Sequence, residues 1–297
     1  MNRRSGTTIC LFGAYPVRVD GQPYHLGMSG TTEQLFQFLL VNAGKESRRE
    51  YLADLFWRRS SAERQRSALN SAIWRIRRQL RDVTGLDLVC DGAAAVLHID
   101  ASVPVDASEL TGVVHSIVPG EAMTEATADR LRAALEACAA PFMDGVTSEW
   151  VLSERERLFN VQIRGLTLLM HWLGQHRKYE DALEVGRWLL AADPARESAQ
   201  CEVMWLYVLN GQRAQAIRQY QCFRDWLQRE LDIDPMPETK ALYDHIRLEL
   251  DAARLGRGDR AAAALETEAR RSSFNLLLGA IERSRRDLYE VLSSPLV

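Results

Sequence analysis

Apolar residues recur at helical spacing inside an arginine-rich stretch between residues 67 and 81. They stand at positions i, i+4, i+7 and i+11, which form one stripe along an α-helix: Leu69, Ile73, Ile76 and Leu80. At about 100° per residue, Ser67, Ser71 and Arg78 point to the opposite side. The outward face therefore has small residues near its start and arginines toward its end. This order suits a helix whose first half enters a groove of a duplex while its second half holds phosphates.

Shorter elements are expected before this helix. β-prone segments at residues 9–12, 15–19 and 24–26 surround an Asp20-Gly21 hairpin turn. Two helices follow, the second of which is expected to begin at Ser47 with Glu50 as its capping-box partner.

A second hairpin is expected after the arginine-rich helix, with strands at residues 86–90 and 96–99 around Asp91-Gly92-Ala93-Ala94. Strands, three helices and a hairpin in this order predict a winged helix-turn-helix. Its third helix would be the recognition helix.

The candidate DNA-contacting residues are the polar, aromatic and basic side chains that face away from the apolar stripe. They are Arg64, Arg66, Ser67, Asn70, Ser71, Trp74, Arg75, Arg77, Arg78 and Arg81. We expect the arginines to neutralise phosphates, and Asn70, Ser71 and Trp74 to decide which base sequence is preferred.

Three motifs of this region resemble the OmpR-type DNA-binding domain, in the version found in Streptomyces antibiotic regulatory proteins (SARPs). They are Ser47-Arg48-Arg49-Glu50-Tyr51-Leu52, Leu55-Phe56-Trp57, and Ala68-Leu69 through Arg77-Arg78-Gln79-Leu80. In that family the wing usually ends in a Gly-Tyr-Arg-Leu-like strand with basic or polar tips. Here Ala94-Ala95-Val96-Leu97 follows Asp91.

The second half of the chain shows a helical pattern from Glu149 to Leu250, interrupted at Gly174, Asp193-Pro194, Asn210-Gly211 and Asp234-Pro235. Ala182 and Ala216 stand in similar contexts at a spacing of 34 residues, which is the tetratricopeptide period. Small residues at these points would let paired helices approach closely. A tetratricopeptide-like helical domain is therefore predicted.

Motifs of this half resemble the bacterial transcriptional activation domain that follows the winged helix in SARP-type regulators. They are Glu149-Trp150 with Glu154-Arg155-Glu156-Arg157-Leu158, Asp193-Pro194, the stretch from Ala216 to Tyr220, Leu231 with Asp234-Pro235, and Pro237-Glu238-Thr239-Lys240-Ala241-Leu242-Tyr243. The resemblance implies a mainly α fold in three parts. We expect an OmpR-type α+β winged helix-turn-helix over 1–104, a tetratricopeptide-like all-α activation domain over 105–251, and a linker with a C-terminal amphipathic helix over 252–297.

The last part has an apolar stripe at helical spacing, interrupted by Arg285: Phe274, Leu277, Leu278, Ile281, Leu288 and Leu292. Such a stripe must be buried somewhere. Docking onto the repeats, self-association and binding of another protein all remain open.

Charge is distributed unevenly over the 297 residues. The net charge is −3, yet residues 45–81 contain eleven Lys/Arg against four Asp/Glu, a balance of +7. A basic focus inside an acidic protein indicates a polyanionic partner. No apolar run reaches the length of a transmembrane helix, and the N-terminus lacks a signal-peptide core, so we expect a cytoplasmic protein with no membrane contact. The five cysteines lack metal-ligand spacing and are expected to be buried small side chains in a reducing compartment.

No catalytic motif is apparent in the sequence: it has no phosphate-binding loop, no nucleophile elbow and no His-Glu-x-x-His. We therefore expect no enzymatic activity, no metal site and no cofactor. The resemblance implies a transcriptional activator that binds direct repeats in double-stranded DNA near promoters and contacts RNA polymerase; a homodimer is left open. The alternative is a tetratricopeptide-type adaptor whose winged helix binds protein, which the weakly polar wing favours.

Overall fold

The computed structural model describes residues 6–14, 16–118 and 121–255. Within these residues the chain is mainly helical, with two small antiparallel sheets near the N-terminus. This confirms the predicted mainly α fold. The predicted C-terminal amphipathic helix, with its stripe between Phe274 and Leu292, lies outside the described residues.

The first sheet contains strands β1 (Thr7–Ile9), β2 (Val17–Val19) and β3 (Gln22–Pro23), in that order. Asp20 and Gly21 connect β2 to β3 with φ angles of 51° and 77°. Two positive φ values in succession are what a two-residue hairpin turn needs, so the predicted turn is confirmed. The third strand lies closer to this turn than the expected segment at 24–26.

The winged helix follows directly. Its elements are α1 (Gly30–Val41), β4 (Ser47–Arg48), α2 (Arg49–Trp57), α3 (Ala62–Leu80), β5 (Leu86–Cys90) and β6 (Ala94–Ile99). The second sheet has the order β4-β6-β5, and β5 and β6 form the hairpin of the wing. Helix α3 packs against α1, α2 and β5 through its apolar stripe.

The expected capping box at the start of α2 is wrong. Ser47 is not a helix cap, because it lies in β4 and pairs with Ala95 of β6. Helix α2 begins two residues later, after Arg48, and no side chain caps it. The ladder to β6 satisfies the backbone of Ser47 instead, a long-range pairing that no local pattern reveals.

Seven further helices complete the described chain. They are α4 (Asp106–Ser116), α5 (Glu125–Ala137), α6 (Glu149–Gln175), α7 (Tyr179–Ala192), α8 (Glu197–Leu209), α9 (Arg213–Leu231) and α10 (Pro237–Leu255). None of the helices within 6–14, 16–118 and 121–255 has the length and apolar character needed to cross a membrane.

The described residues form two compact units. The first contains the residues up to Ser116 together with Asp129–Gln162, and the second contains Ile117–Ala128 and the residues from Ile163 onward. Helices α5 and α6 therefore contribute residues to both units. The division of the chain into domains at 104/105 and 251/252 stays a prediction.

Residues beyond the winged helix hold the first unit together. Asp106, at the start of α4, accepts hydrogen bonds from the backbone N–H groups of Leu11 (2.9 Å) and Phe12 (3.0 Å). The Phe12 ring meets Phe142 edge to face at a centroid distance of 5.4 Å, and the Met143 N–H donates to the carbonyl of Leu11. The segment after β1 is thus fixed on two sides.

Aromatic rings join α1 to the start of α6 in the same unit. Phe38 is only 7% exposed and has the rings of Tyr51, Phe56 and Trp150 around it. The Trp150 ring lies edge to face at 5.3 Å. Trp150, which is half-buried, therefore packs against the winged helix.

The second unit is a stack of consecutive helices, with α7 against α8, α8 against α9 and α9 against α10. Ala182 and Ala216, the residues of the predicted repeat, are both completely buried. Gly186 of α7 allows a close approach, since a Cβ atom placed there would lie 2.6 Å from a methyl carbon of Val203. The tetratricopeptide-like packing predicted from the spacing of 34 residues is confirmed.

The cysteines are all free thiols. Cys138 and Cys201 are buried as expected, and burial raises the pKa of the Cys201 thiol to about 11. Cys10 and Cys90 are only half-buried. The expectation is wrong for Cys222, which is exposed because it lies on the outward side of α9, away from Tyr220 and Phe223.

Candidate nucleic-acid interface

The candidate surface is the exposed face of α3. All ten predicted DNA-contacting side chains are exposed; nine lie on α3, and Arg81 is its C-cap residue. The opposite side is buried, with Leu69, Ile73, Ile76 and Leu80 at most 5% exposed. Helix α3 thus has an apolar side that packs against α1, α2 and β5 and a polar side that faces solvent.

Trp74 lies near the middle of this exposed face and is 60% exposed. The Arg78 guanidinium lies 5.5 Å from its ring centroid, one helical turn further on. This cation–π contact keeps the Arg78 side chain on the helix surface and limits its rotamers. The Trp74 ring is thus accessible at the centre of this face.

One flank of the face borders the wing. The Arg77 Nε donates a hydrogen bond of 2.8 Å to the carbonyl of Leu88 in β5. Two turns earlier on the same flank, the Asn70 Oδ1 accepts a hydrogen bond from Nη2 of Arg49. Arg49 was not among the residues predicted from the sequence, although it lies in the motif that carries the family resemblance. Its pairing with Asn70, 21 residues away, leaves no local signal.

Ser71 is engaged within the helix, since its hydroxyl donates to the carbonyl of Ser67 at 3.0 Å. The hydroxyl retains acceptor capacity toward a partner.

The turn between α2 and α3 is held by hydrogen bonds to the last carbonyl of α2. The Ser60 N–H and the Gln65 side-chain amide both donate to the carbonyl of Trp57, at 2.9 and 3.1 Å. Arg58 and Arg59 are exposed in this turn and extend the basic surface beyond α3.

The charge pattern of α3 agrees with the dipole of the helix. Glu63 lies in the first turn and Arg77 and Arg78 lie in the last. Because Arg77 and Arg78 lie at the negative end of the helix dipole, this arrangement stabilises α3. Arg64 and Arg66 are exposed near its start, so cations lie toward both ends of the exposed face.

The wing tip has a different character. Asp91 accepts hydrogen bonds from the backbone N–H groups of Ala94 and Ala93, and these bonds lower the pKa of its carboxyl, with a smaller contribution from the charge of Arg49. Residues 91–94 contain no cation. The wing tip is acidic, so cationic contacts to a phosphate backbone must come from α3 and its neighbouring turn.

Within the described part of the chain, no three His, Cys, Asp or Glu side chains cluster in a way that could hold a metal ion. Some carboxylates of the helical half lie in ion pairs, such as Glu154 with Arg157 and Glu125 with Lys178.

Residues 117–247 match the family model of the bacterial transcriptional activator domain. The fold is similar to that of EmbR from Mycobacterium tuberculosis, whose structure was solved in complex with a low-affinity phosphopeptide. The superposition has a TM-score of 0.66 at 20% sequence identity and covers 95% of this chain and 72% of EmbR. The comparison with curated proteins gives no match. The two-part architecture predicted from the sequence, a winged helix followed by an activation domain, is thereby confirmed.

Proposed function

We propose that this chain, which joins a winged helix to a bacterial transcriptional activator domain as SARP-type regulators do, is a sequence-specific DNA-binding activator of transcription. The observation that carries the proposal is the exposed face of α3. Its polar centre and flanking arginines lie opposite a stripe that is almost completely buried.

In the proposed complex, α3 enters the major groove with its N-terminal half. Ser67, Asn70, Ser71 and Trp74 would contact base edges there, since an α-helix fits this groove and the side chains on its inner face then lie next to the bases. The basic residues would contact phosphates on both sides: Arg64, Arg66, Arg75, Arg77, Arg78 and Arg81. Phosphate contacts set the register of the helix, and base contacts set its sequence preference.

The helical half is proposed to contact RNA polymerase. The basic focus at residues 45–81 belongs to an otherwise acidic chain, so the remainder is poorly suited to a second DNA contact. Binding of two copies to direct repeats near a promoter, a cytoplasmic location and the absence of an enzymatic activity complete the proposal.

The test is binding of the full chain to promoter-containing genomic duplexes, measured by electrophoretic mobility and fluorescence anisotropy across a salt series. We expect one class of fragments to be preferred, with log affinity falling linearly against log salt by about 0.9 for each phosphate neutralised. In a reconstituted transcription assay, the chain should raise transcription only from templates that contain the preferred sequence.

If the chain is instead a protein-interaction adaptor, we expect no preference for any DNA sequence and no effect on transcription. The support for this alternative is the acidic, cation-free wing tip at Asp91. If the folded chain binds every duplex equally weakly at low salt and does not change transcription, the activator proposal is wrong and the adaptor is favoured.

A further inference from the structure

One contact on the candidate interface determines which atoms of a side chain are available to a base. Asn70 lies on the flank of α3 beside the wing, and its Oδ1 accepts a hydrogen bond from Arg49 at the start of α2. Asn70 is exposed and Arg49 is half-buried, so the pair lies at the edge of the surface that faces the proposed duplex.

The orientation of the Asn70 amide follows from the chemistry of its partner. A guanidinium has only donors, so the amide atom that faces Arg49 must be the oxygen. The NH₂ group is therefore directed away from the guanidinium. As long as the contact persists, Asn70 directs two N–H donors outward, while its carbonyl oxygen is turned toward Arg49 and has one of its two lone pairs engaged there.

Arg49 is itself held in place by the wing. Its backbone N–H donates to the carbonyl of Ala93 at 2.9 Å, and its charge acts on Asp91 at the wing tip. The residue thus lies where α2, the wing and α3 meet. A side chain anchored at its backbone is well suited to hold another side chain in one orientation.

We propose that Arg49 is a positioning residue that orients the Asn70 amide so that its NH₂ group, and not its carbonyl oxygen, faces the duplex, and that the protein therefore recognises guanine at the base pair that Asn70 contacts. An unrestrained asparagine prefers adenine, because its oxygen accepts from N6 while its NH₂ donates to N7. Guanine presents two acceptors, O6 and N7, in the major groove. An NH₂ group that faces the duplex while the oxygen is turned away matches these acceptors and mismatches the N6 amino group of adenine. This inference rests on the proposed function, because it specifies the base that the α3 face selects.

A purely structural role for the Arg49–Asn70 contact would affect folding and overall affinity. It would leave the base preference at one position unchanged. Base preference is therefore the readout that separates positioning from stabilisation.

The experiment uses the full chain and a library of duplexes with about 20 randomised base pairs, which is roughly the span of two half-sites one helical turn apart. Bound duplexes are sequenced for the wild type and for Arg49→Met, Arg49→Lys and Asn70→Asp. Arg48→Met is the matched control, since Arg48 is the exposed neighbour of Arg49 and its loss changes the charge equally. Thermal melting of each variant verifies the fold.

For the wild type we expect guanine at one position of the preferred sequence. Arg49→Met should raise adenine relative to guanine at that position by about five-fold or more, the scale of one base-specific contact. Arg49→Lys should keep the guanine preference, because lysine also has only donors. Asn70→Asp should lose guanine at the same position, because the carboxylate has no donor. Arg48→Met should leave all preferences unchanged.

A chemical probe gives a second, independent measurement. Replacing that guanine by 7-deazaguanine removes the N7 acceptor, which should weaken binding of the wild type and leave binding of Asn70→Asp unchanged. A guanine preference that survives in both Arg49→Met and Asn70→Asp would overturn the inference while the proposed function stands. If the wild type enriches no sequence, the proposed function itself fails, and the inference fails with it.

Discussion

At the scale of single residues, the arginines of α3 are not equivalent. Arg77 is tied to the carbonyl of Leu88, and Arg78 lies over the ring of Trp74. Arg75 projects from the other flank and is exposed. Arg75 and Arg78 are thus the pair best placed to reach phosphates, because neither of them has to break a hydrogen bond to β5 as Arg77 would.

We predict that Arg75→Ala/Arg78→Ala flattens the slope of log affinity against log salt by about 2, since each lost phosphate contact removes about 1. The preferred base sequence should be unchanged. Anisotropy titrations at several salt concentrations measure both. Arg224→Ala/Arg229→Ala removes the same charge from exposed ion pairs on α9 and should leave the slope unchanged. An equal loss of slope in both double variants would indicate a long-range charge effect and contradict the placement of α3.

Asp106 is a buried carboxylate that holds the segment after β1. Asp106 accepts from the N–H groups of Leu11, Phe12 and Ala107, and burial raises the pKa of its carboxyl while these bonds partly offset the shift. Asp106→Asn replaces one accepting oxygen by an NH₂ group, which faces a backbone donor. We expect the free energy of unfolding in urea to fall by about 1–3 kcal/mol, the cost of a buried donor without a partner.

The control for this substitution is Asp129→Asn, at an exposed aspartate of α5. It should change the free energy of unfolding by less than about 0.5 kcal/mol. If Asp106→Asn is equally mild, the three backbone donors must find other acceptors, and Asp106 does not hold the segment after β1.

At the scale of elements, the helix stack of the second unit depends on small residues at its crossings. Gly186 of α7 is buried against α8 and α6. An added Cβ would lie 2.6 Å from Val203 of α8 and 3.2 Å from the sulfur of Met170 of α6. Helix propensity alone would favour alanine there. The close approach of α7 and α8 therefore outweighs propensity at this position.

We predict that Gly186→Ala lowers the free energy of unfolding by about 1–3 kcal/mol, the usual cost of overpacking. Val203→Ala in the same chain should recover part of the loss, because it removes the methyl carbon that clashes. Gly112→Ala is the matched control: this helical glycine of α4 has open space around it, and alanine should stabilise it by about 0.5–1 kcal/mol. Equal effects at both glycines would mean that propensity, and not packing, decides the outcome at Gly186.

At the scale of the whole molecule, the compact unit that carries α3 is larger than the winged helix. It includes α4 and residues 129–162, which supply Asp106, Phe142 and Trp150. A fragment that ends at residue 105 would expose the side of Phe38 that Trp150 covers and would leave the N–H groups of Leu11 and Phe12 without Asp106.

We therefore predict that a fragment of residues 1–162 melts at least about 5 °C above a fragment of residues 1–105, given roughly 2–4 °C for each kcal/mol in domains of 150–250 residues. Both should prefer the same base sequence, because α3 is intact in each, and neither should stimulate transcription. Calorimetry, duplex selection and reconstituted transcription test the three statements. Identical melting temperatures would mean that the contacts of Asp106, Phe142 and Trp150 add nothing to the winged helix.

Local patterns in the sequence were sufficient wherever a structure depends on neighbouring residues. The stripe of Leu69, Ile73, Ile76 and Leu80 defined the buried side of α3, and Asp20-Gly21 defined a turn. The spacing of Ala182 and Ala216 defined the repeat. The exposed residues of the interface followed from the same helical period, since whatever lies opposite a buried stripe faces solvent.

Contacts between residues far apart in the chain were decided only by the tertiary structure. Ser47 has the sequence of a helix cap, but it lies in a strand and pairs with Ala95 of β6, about 50 residues further along the chain. Asp106 reaches Leu11 across 95 residues, and Arg49 reaches Asn70 across 21. Periodicity specifies which side of an element is buried. It carries no information on which distant donor a polar side chain will meet, and the contact with Arg49 determines which atoms of the Asn70 amide face outward.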